Sequence, residues 1–147
     1  PGVKSNLLSL MKWIKKRLPL PLGGVDNKRS FVSITNLNSF IYICLTHPKA
    51  GNETFLVSDQ TPISISKLIE KLSLSLNTKK IPLFVPFPKS ILNALLLMVG
   101  KGDVATKLLK SLEVDIEKNS NLLGWYPVQS TEEGLKQMAE DFLNNEQ

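Results

Sequence analysis

The chain has 147 residues, of which 42% are hydrophobic and 21% charged, and carries a formal net charge of +5. That length and balance suit one domain with a real core and exclude a chain too charged and too poor in apolar residues to fold. One cysteine, Cys44, excludes an internal disulfide, and with one histidine no Cys/His cluster offers itself to a metal.

Residues 4–17, KSNLLSLMKWIKKR, set Leu7, Leu8, Met11, Trp13 and Ile14 around one helical side, with Lys12, Lys15, Lys16 and Arg17 opposite. Ser5 or Asn6 supplies the cap. LPLPLGG follows as an extended bridge, because each residue before a proline is pushed out of the α region. RSFVSI alternates like a strand, and Thr35 or Asn36 caps a helix through LNSFIYICLTH. HPKAGNE is a turn, with His47 at a helix C-cap before Pro48. TFLVSD reads as a second strand, after which Ser64 or Ser66 caps a helix with Ile65, Leu68, Ile69, Leu72 and Leu76 on its apolar face. KKIPLFVPFPKS, broken by three prolines, suits an edge strand leading into a helix at about 89–99, ended by Gly100 and Gly102. A further helix at roughly 103–111 leads to the extended LEVD, and Asp115 caps IEKNSNLL with Gly124 as the stop. Ser130 and Glu133 form a capping box for a last helix over 131–144. The expected class is α/β (α+β): a small mixed domain with short strands and about six helices.

Charge is unevenly spread. Residues 1–29 hold seven Lys/Arg against one acid, Asp26, whereas residues 113–147 hold eight acids against Lys118 and Lys136. A basic front end attracts a phosphorylated ligand, nucleic acid or an anionic membrane surface, or is simply the solvated face of a helix. Aromatic residues are few and not interleaved with the basic ones, and no nucleic-acid recognition motif is present, so no nucleic-acid partner is expected. The longest apolar stretch, ILNALLLMVG, is about half the length needed to cross a bilayer, so no membrane partner is expected either. No signal-peptide pattern opens the chain, and a lone cysteine in an apolar helical run fits a reducing, cytoplasmic setting. The chain opens on Pro1 and Gly2 without an initiator Met, as if cut from a longer polypeptide.

No Ser/His/Asp or Cys/His constellation is visible, and there is neither a Walker loop nor a GxGxxG turn, so no catalytic, metal-binding or cofactor-binding residue is expected here. What remains is Arg29, delivered by the Gly/Asn-rich loop GGVDN into the RSFVSI strand, beside an apolar ledge of Leu20 and Leu22. A guanidinium grips a diphosphate with paired hydrogen bonds in a way a lysine does not, and this chain uses arginine only twice against sixteen lysines. Arg29 is therefore a candidate phosphate ligand, with a surface arginine as the equal alternative.

The ordered blocks PG, NLL, LPLPLG, KRSFVSITNLNSFI, NETFLVSD, ISISKLIEKL and SLEVDIEKNSNLLGWYPVQSTEEGL resemble the C-terminal part of nucleotide-sugar epimerases and dehydratases. These are extended short-chain dehydrogenase/reductase enzymes of the UDP-glucose 4-epimerase group, and the resemblance covers essentially all of residues 1–147. It implies a substrate-binding C-terminal domain whose N-terminal Rossmann domain, with the NAD site and the Tyr-x-x-x-Lys catalytic group, is missing. It implies further that Arg29 binds the pyrophosphate of a UDP-sugar, with Ser30 standing where the aspartate of an RDFV-like strand is usual. Asn6 and Leu7 match the helix start that faces the diphosphate. Leu20 and Leu22 match the segment along the uracil ring, and Lys107 falls where related sequences carry an arginine towards the nucleotide. Tyr42 and Tyr126 are not followed by Lys at the fourth position, so the isolated chain is expected to be inactive. In the intact enzyme, NAD would oxidise the sugar C4 hydroxyl and return hydride to the other face. A UDP-sugar 4-reductase or 4,6-dehydratase sharing this half is the alternative within the family, and a non-catalytic basic binding module for nucleic acid or an anionic surface is the alternative outside it. TFLVSD is expected to expose a strand edge and drive self-association.

Overall fold

The computed structural model describes residues 6–17, 25–78, 98 and 110–145. Among these residues the secondary structure is α1 (Asn6–Lys15), α2 (Ile34–Thr46), α3 (Ile65–Ser75), α4 (Glu117–Leu123) and α5 (Thr131–Asn144), with a 3-10 turn over Pro48–Ala50. The expected edge strand at 79–90 and the helices at about 89–99 and 103–111 lie outside the described residues, apart from Met98 and residues 110 and 111.

The α/β expectation is corrected. Among the described residues no strand or sheet forms, and the one paired bridge joins Arg29 to Leu112 in parallel register. The alternating segments RSFVSI and TFLVSD are present without strand pairing, and the reason is that side chains replace the ladder. The Asp59 N–H donates to the Phe31 carbonyl at 2.8 Å. The neighbouring Ser33 N–H then donates to the Asp59 carboxylate, also at 2.8 Å, instead of to a backbone carbonyl. In the same way the Val114 N–H donates to Ser30 Oγ at 3.0 Å. Asp and Ser are residues that compete with backbone pairing in this manner, and period-2 patterning reports which face is apolar, not whether a neighbouring strand exists.

The chain divides into two compact units. The first comprises Pro1–Lys28, Ile63–Ser111 and Leu135–Gln147. In it α1 packs against α3. Met11 and Ile14 of α1 are buried, as are Ile65, Leu68, Ile69 and Leu72 of α3 and Leu76 just beyond it, and the α5 stripe Leu135, Ala139, Phe142. Each spacing is that of one helical face, and each fully buried Leu or Ile side chain is worth about 1.5–3 kcal/mol. Trp13 departs from the expected apolar side: it is 51% exposed, one residue round from Ile14. Ser64 caps α3, its Oγ accepting from the Lys67 N–H at 3.2 Å. The helix closes through Asn77 at φ 52° and a Thr78 N–H to Ser73 carbonyl bond of 3.1 Å, which satisfies a carbonyl the helix leaves open.

The second unit comprises Arg29–Pro62 and Leu112–Gly134. Its apolar centre is Phe40, Leu123 and Trp125, with Ile43, Cys44, Phe55, Val57, Ile116 and Leu122 packed against them. Phe40 meets Trp125 edge-on at 4.8 Å between centroids and Phe55 at 5.7 Å, and Trp125 Nε1 donates to Ser39 Oγ at 3.1 Å. The cap of α2 is Ser33, whose Oγ accepts from the Asn36 N–H at 3.2 Å, so Thr35 and Asn36 lie inside the first turn instead of before it. His47 closes α2 as expected, its N–H reaching the Ile43 carbonyl at 2.8 Å, and its Nδ1 accepts from the Lys49 N–H. Asp115 accepts from the Glu117 N–H at 2.8 Å, and Gly124 at φ 63° stops α4. Gly134, in the first turn of α5, passes so close to Ser33 that an added Cβ would meet the Ser33 Cβ at 3.1 Å.

Candidate functional site

Arg29 is reached along a segment that is held, not loose. In the first unit Val25 and Asn27 are buried, and Ser66 Oγ donates to the Val25 carbonyl at 3.2 Å. Asn27 Oδ1 accepts from the Ile65 N–H at 3.0 Å, satisfying a donor that the first turn of α3 leaves without an intrahelical partner. Asn27 Nδ2 donates to the Lys110 carbonyl at 3.4 Å, and the Lys28 N–H donates to Ser111 Oγ at 3.0 Å. Residues 25–28 are therefore fixed, which corrects the reading of GGVDN as flexible up to Arg29. Nothing local in the sequence marks Asn27 as an anchor, because its partners lie 38 and 83 positions away.

In the second unit Arg29 stands in the bridge with Leu112. Ser30 grips the same neighbour twice: its N–H donates to the Leu112 carbonyl at 2.9 Å and its Oγ accepts from the Val114 N–H. Beyond it, Asn36 uses its whole side chain. Nδ2 donates to Asp59 Oδ1 at 2.6 Å and to the Gln129 carbonyl at 2.7 Å, while Oδ1 accepts from the N–H groups of Val128 and Gln129 at 2.9 and 3.0 Å. Two donors and two lone pairs are all satisfied, as a fully buried amide requires. This is the polar hub that sets the segment carrying Arg29, and the sequence reading passed over it as a cap candidate.

Of the other site candidates, Asn6 and Leu7 begin α1 in the first unit, Leu7 being half-buried. Leu20, Leu22 and Lys107 lie outside the described residues. An open cavity of about 230 Å³ in the second unit is lined by Asp115, Glu117, Ser120, Trp125 and Tyr126 among others, and Arg29 is not among them. With two carboxylates and no cation on its wall it repels a diphosphate. Burial pushes the Cys44 thiol up, which disfavours the thiolate and hence nucleophilic chemistry there. No group of three or more acidic, His or Cys side chains able to hold a metal occurs among the described residues, and none of their helices is long and apolar enough to cross a membrane.

The dinucleotide that the resemblance implies finds no fit among the described residues. Gly124 terminates α4 and Gly134 lies within α5 against Ser33, so neither forms the glycine-rich turn at a helix N-terminus that cradles a pyrophosphate.

Over nearly its whole length the chain is similar to a curated epimerase. That relative is the UDP-glucose 4-epimerase of Vibrio cholerae, 42% identical over 144 residues, which are 97% of this chain and 43% of the relative. The resemblance drawn from the ordered motifs is borne out to that extent. An uncharacterized protein of Sinorhizobium fredii, y4nL, is 26% identical over 162 residues, 100% of this chain and 45% of that protein. The chain thus spans less than half the length of the curated relatives it matches. No family model and no solved structure matches it.

Proposed function

We propose that residues 1–147 are the nucleotide-sugar-binding C-terminal part of a UDP-glucose 4-epimerase-like enzyme, and that Arg29 holds the diphosphate. The observation that carries this reading is the 42% identity to UDP-glucose 4-epimerase across 97% of the chain. The geometry supports it: the backbone on either side of Arg29 is pinned by Asn27 and Ser30, which fixes where the guanidinium originates and lowers the entropy cost of a paired, charge-assisted contact. Asn6 and Leu7 would face the same diphosphate, Leu20 and Leu22 the uracil ring, and Lys107 the nucleotide. Hydride transfer with NAD, the tyrosine base and the choice of sugar belong to the part of the enzyme outside this chain. A 4-reductase or 4,6-dehydratase would use this half in the same way, and the name of the relative favours the epimerase.

The test is calorimetric titration of UDP-glucose into the Vibrio cholerae enzyme with its matched segment replaced by this chain. Arg29→Ala is expected to weaken binding by about 1.5–3 kcal/mol, with Arg29→Lys recovering part of it. Unchanged affinity would remove Arg29 from the site. Binding of a random DNA duplex that collapses with added salt, without UDP-glucose binding, would favour the basic-module reading.

A further inference from the structure

We propose that the main-chain edge of residues 55–57 is a docking edge, covered in the longer polypeptide by an extended β-strand. In an extended segment neighbouring residues present their backbone groups, like their side chains, to opposite sides. On one side of 54–58 the Thr54 carbonyl accepts from Lys118 Nζ at 2.9 Å and the Leu56 carbonyl from Asn119 Nδ2 at 2.7 Å, so α4 covers that edge with side chains. Lys118 Nζ is itself steadied by Glu53 at 2.8 Å and lies 4.9 Å from the centroid of the Phe55 ring. Phe55 and Val57 point their N–H and carbonyl groups to the opposite edge. Among the described residues no hydrogen bond reaches them, and the next residue of the same parity, Asp59, is the first to find a backbone partner, Phe31.

The side chains repeat the asymmetry. Phe55 and Val57 pack on the Phe40–Trp125 cluster, while Leu56 faces away and is 60% exposed. One edge and one face are thus covered, and the other edge and face are open. Helix α2, which covers the inner face, carries a further exposed apolar stripe of Ile34, Ile41 and Leu45. Unmet main-chain donors and acceptors beside an apolar face fit an incoming strand; a helix has already satisfied its own backbone. The strand is assigned to the same polypeptide because the curated relatives are matched over only 43% and 45% of their length, which leaves ample chain to supply it. The inference does not depend on the sugar-nucleotide reading.

The test is residue-resolved amide hydrogen exchange on this chain at low micromolar concentration and on the full-length chimera described above. The Phe55 and Val57 amides are expected to exchange like unstructured amides in the chain alone and at least about 100-fold more slowly in the chimera. Protection in the dilute chain alone would overturn the proposal, and that arm stands even where a chimera does not fold. Equal exchange in both would overturn it as well. Protection in the chimera that rises with its concentration would assign the edge to a second copy instead, and would equally overturn it. UDP-glucose affinity and edge protection are separate readouts, so either reading can fail without the other.

Discussion

Asn36 shows how much one side chain decides. It is fully buried, so the cost of removing it is set by the groups left behind: two backbone N–H donors, the Gln129 carbonyl and the Asp59 carboxylate. Asn36→Ala is expected to destabilise the chain by about 2–4 kcal/mol in urea denaturation, more than an average core truncation of similar size. Glu133 gives the pH-dependent counterpart. Its carboxylate accepts from the Ser130 N–H at 2.8 Å and from the Ser130 hydroxyl at 2.7 Å, and these two bonds, the backbone one first, hold its pKa below the ordinary 4.5. A carboxyl lowered on folding stabilises the native state above its unfolded pKa and loses that contribution as pH falls through the folded value. Denaturation midpoints are therefore expected to drop for the parent chain below about pH 4.5, with the Glu133→Gln variant lacking this component.

At the scale of elements, helix ends were more legible than strands. The Ser130/Glu133 box, the Ser64 cap, the Asp115 bond and the Gly124 stop were all readable, because each is a contact between residues two to four apart. Gly124 gives the cleanest test. An added Cβ meets nothing within 4 Å, so Gly124→Ala isolates the cost of a left-handed residue and is expected to lower stability by about 1–2 kcal/mol, measured by thermal unfolding. Trp13 and the two alternating segments were misjudged for one reason: periodicity says which residues could share a face, while burial and pairing depend on what lies opposite. Helix α3, apolar at five positions of one stripe, had all of them buried.

For the whole molecule, the open edge at 55–57 carries a consequence in solution. With Leu56 and the stripe on α2 exposed, the chain by itself is expected to self-associate as its concentration rises, and Leu56→Lys to reduce this in sedimentation velocity. A strictly monomeric chain at high concentration would count against an accessible edge. The basic face of α1, with Lys12, Lys15, Lys16 and Arg17 exposed, behaves differently: it is solvated, with Lys15 Nζ lying 5.8 Å from the centroid of the Phe142 ring.

The sequence by itself determined the amphipathic helices, their caps and the ordered blocks that resemble an epimerase, because these depend on spacing along the chain. Only the tertiary structure decided that RSFVSI and TFLVSD stay unpaired, that Asn27 and Asn36 are anchors, and that the backbone around Arg29 is fixed. The physical reason is separation: the hydrogen bonds that settle those points join residues from 23 to 93 positions apart, where no local pattern carries information about the partner.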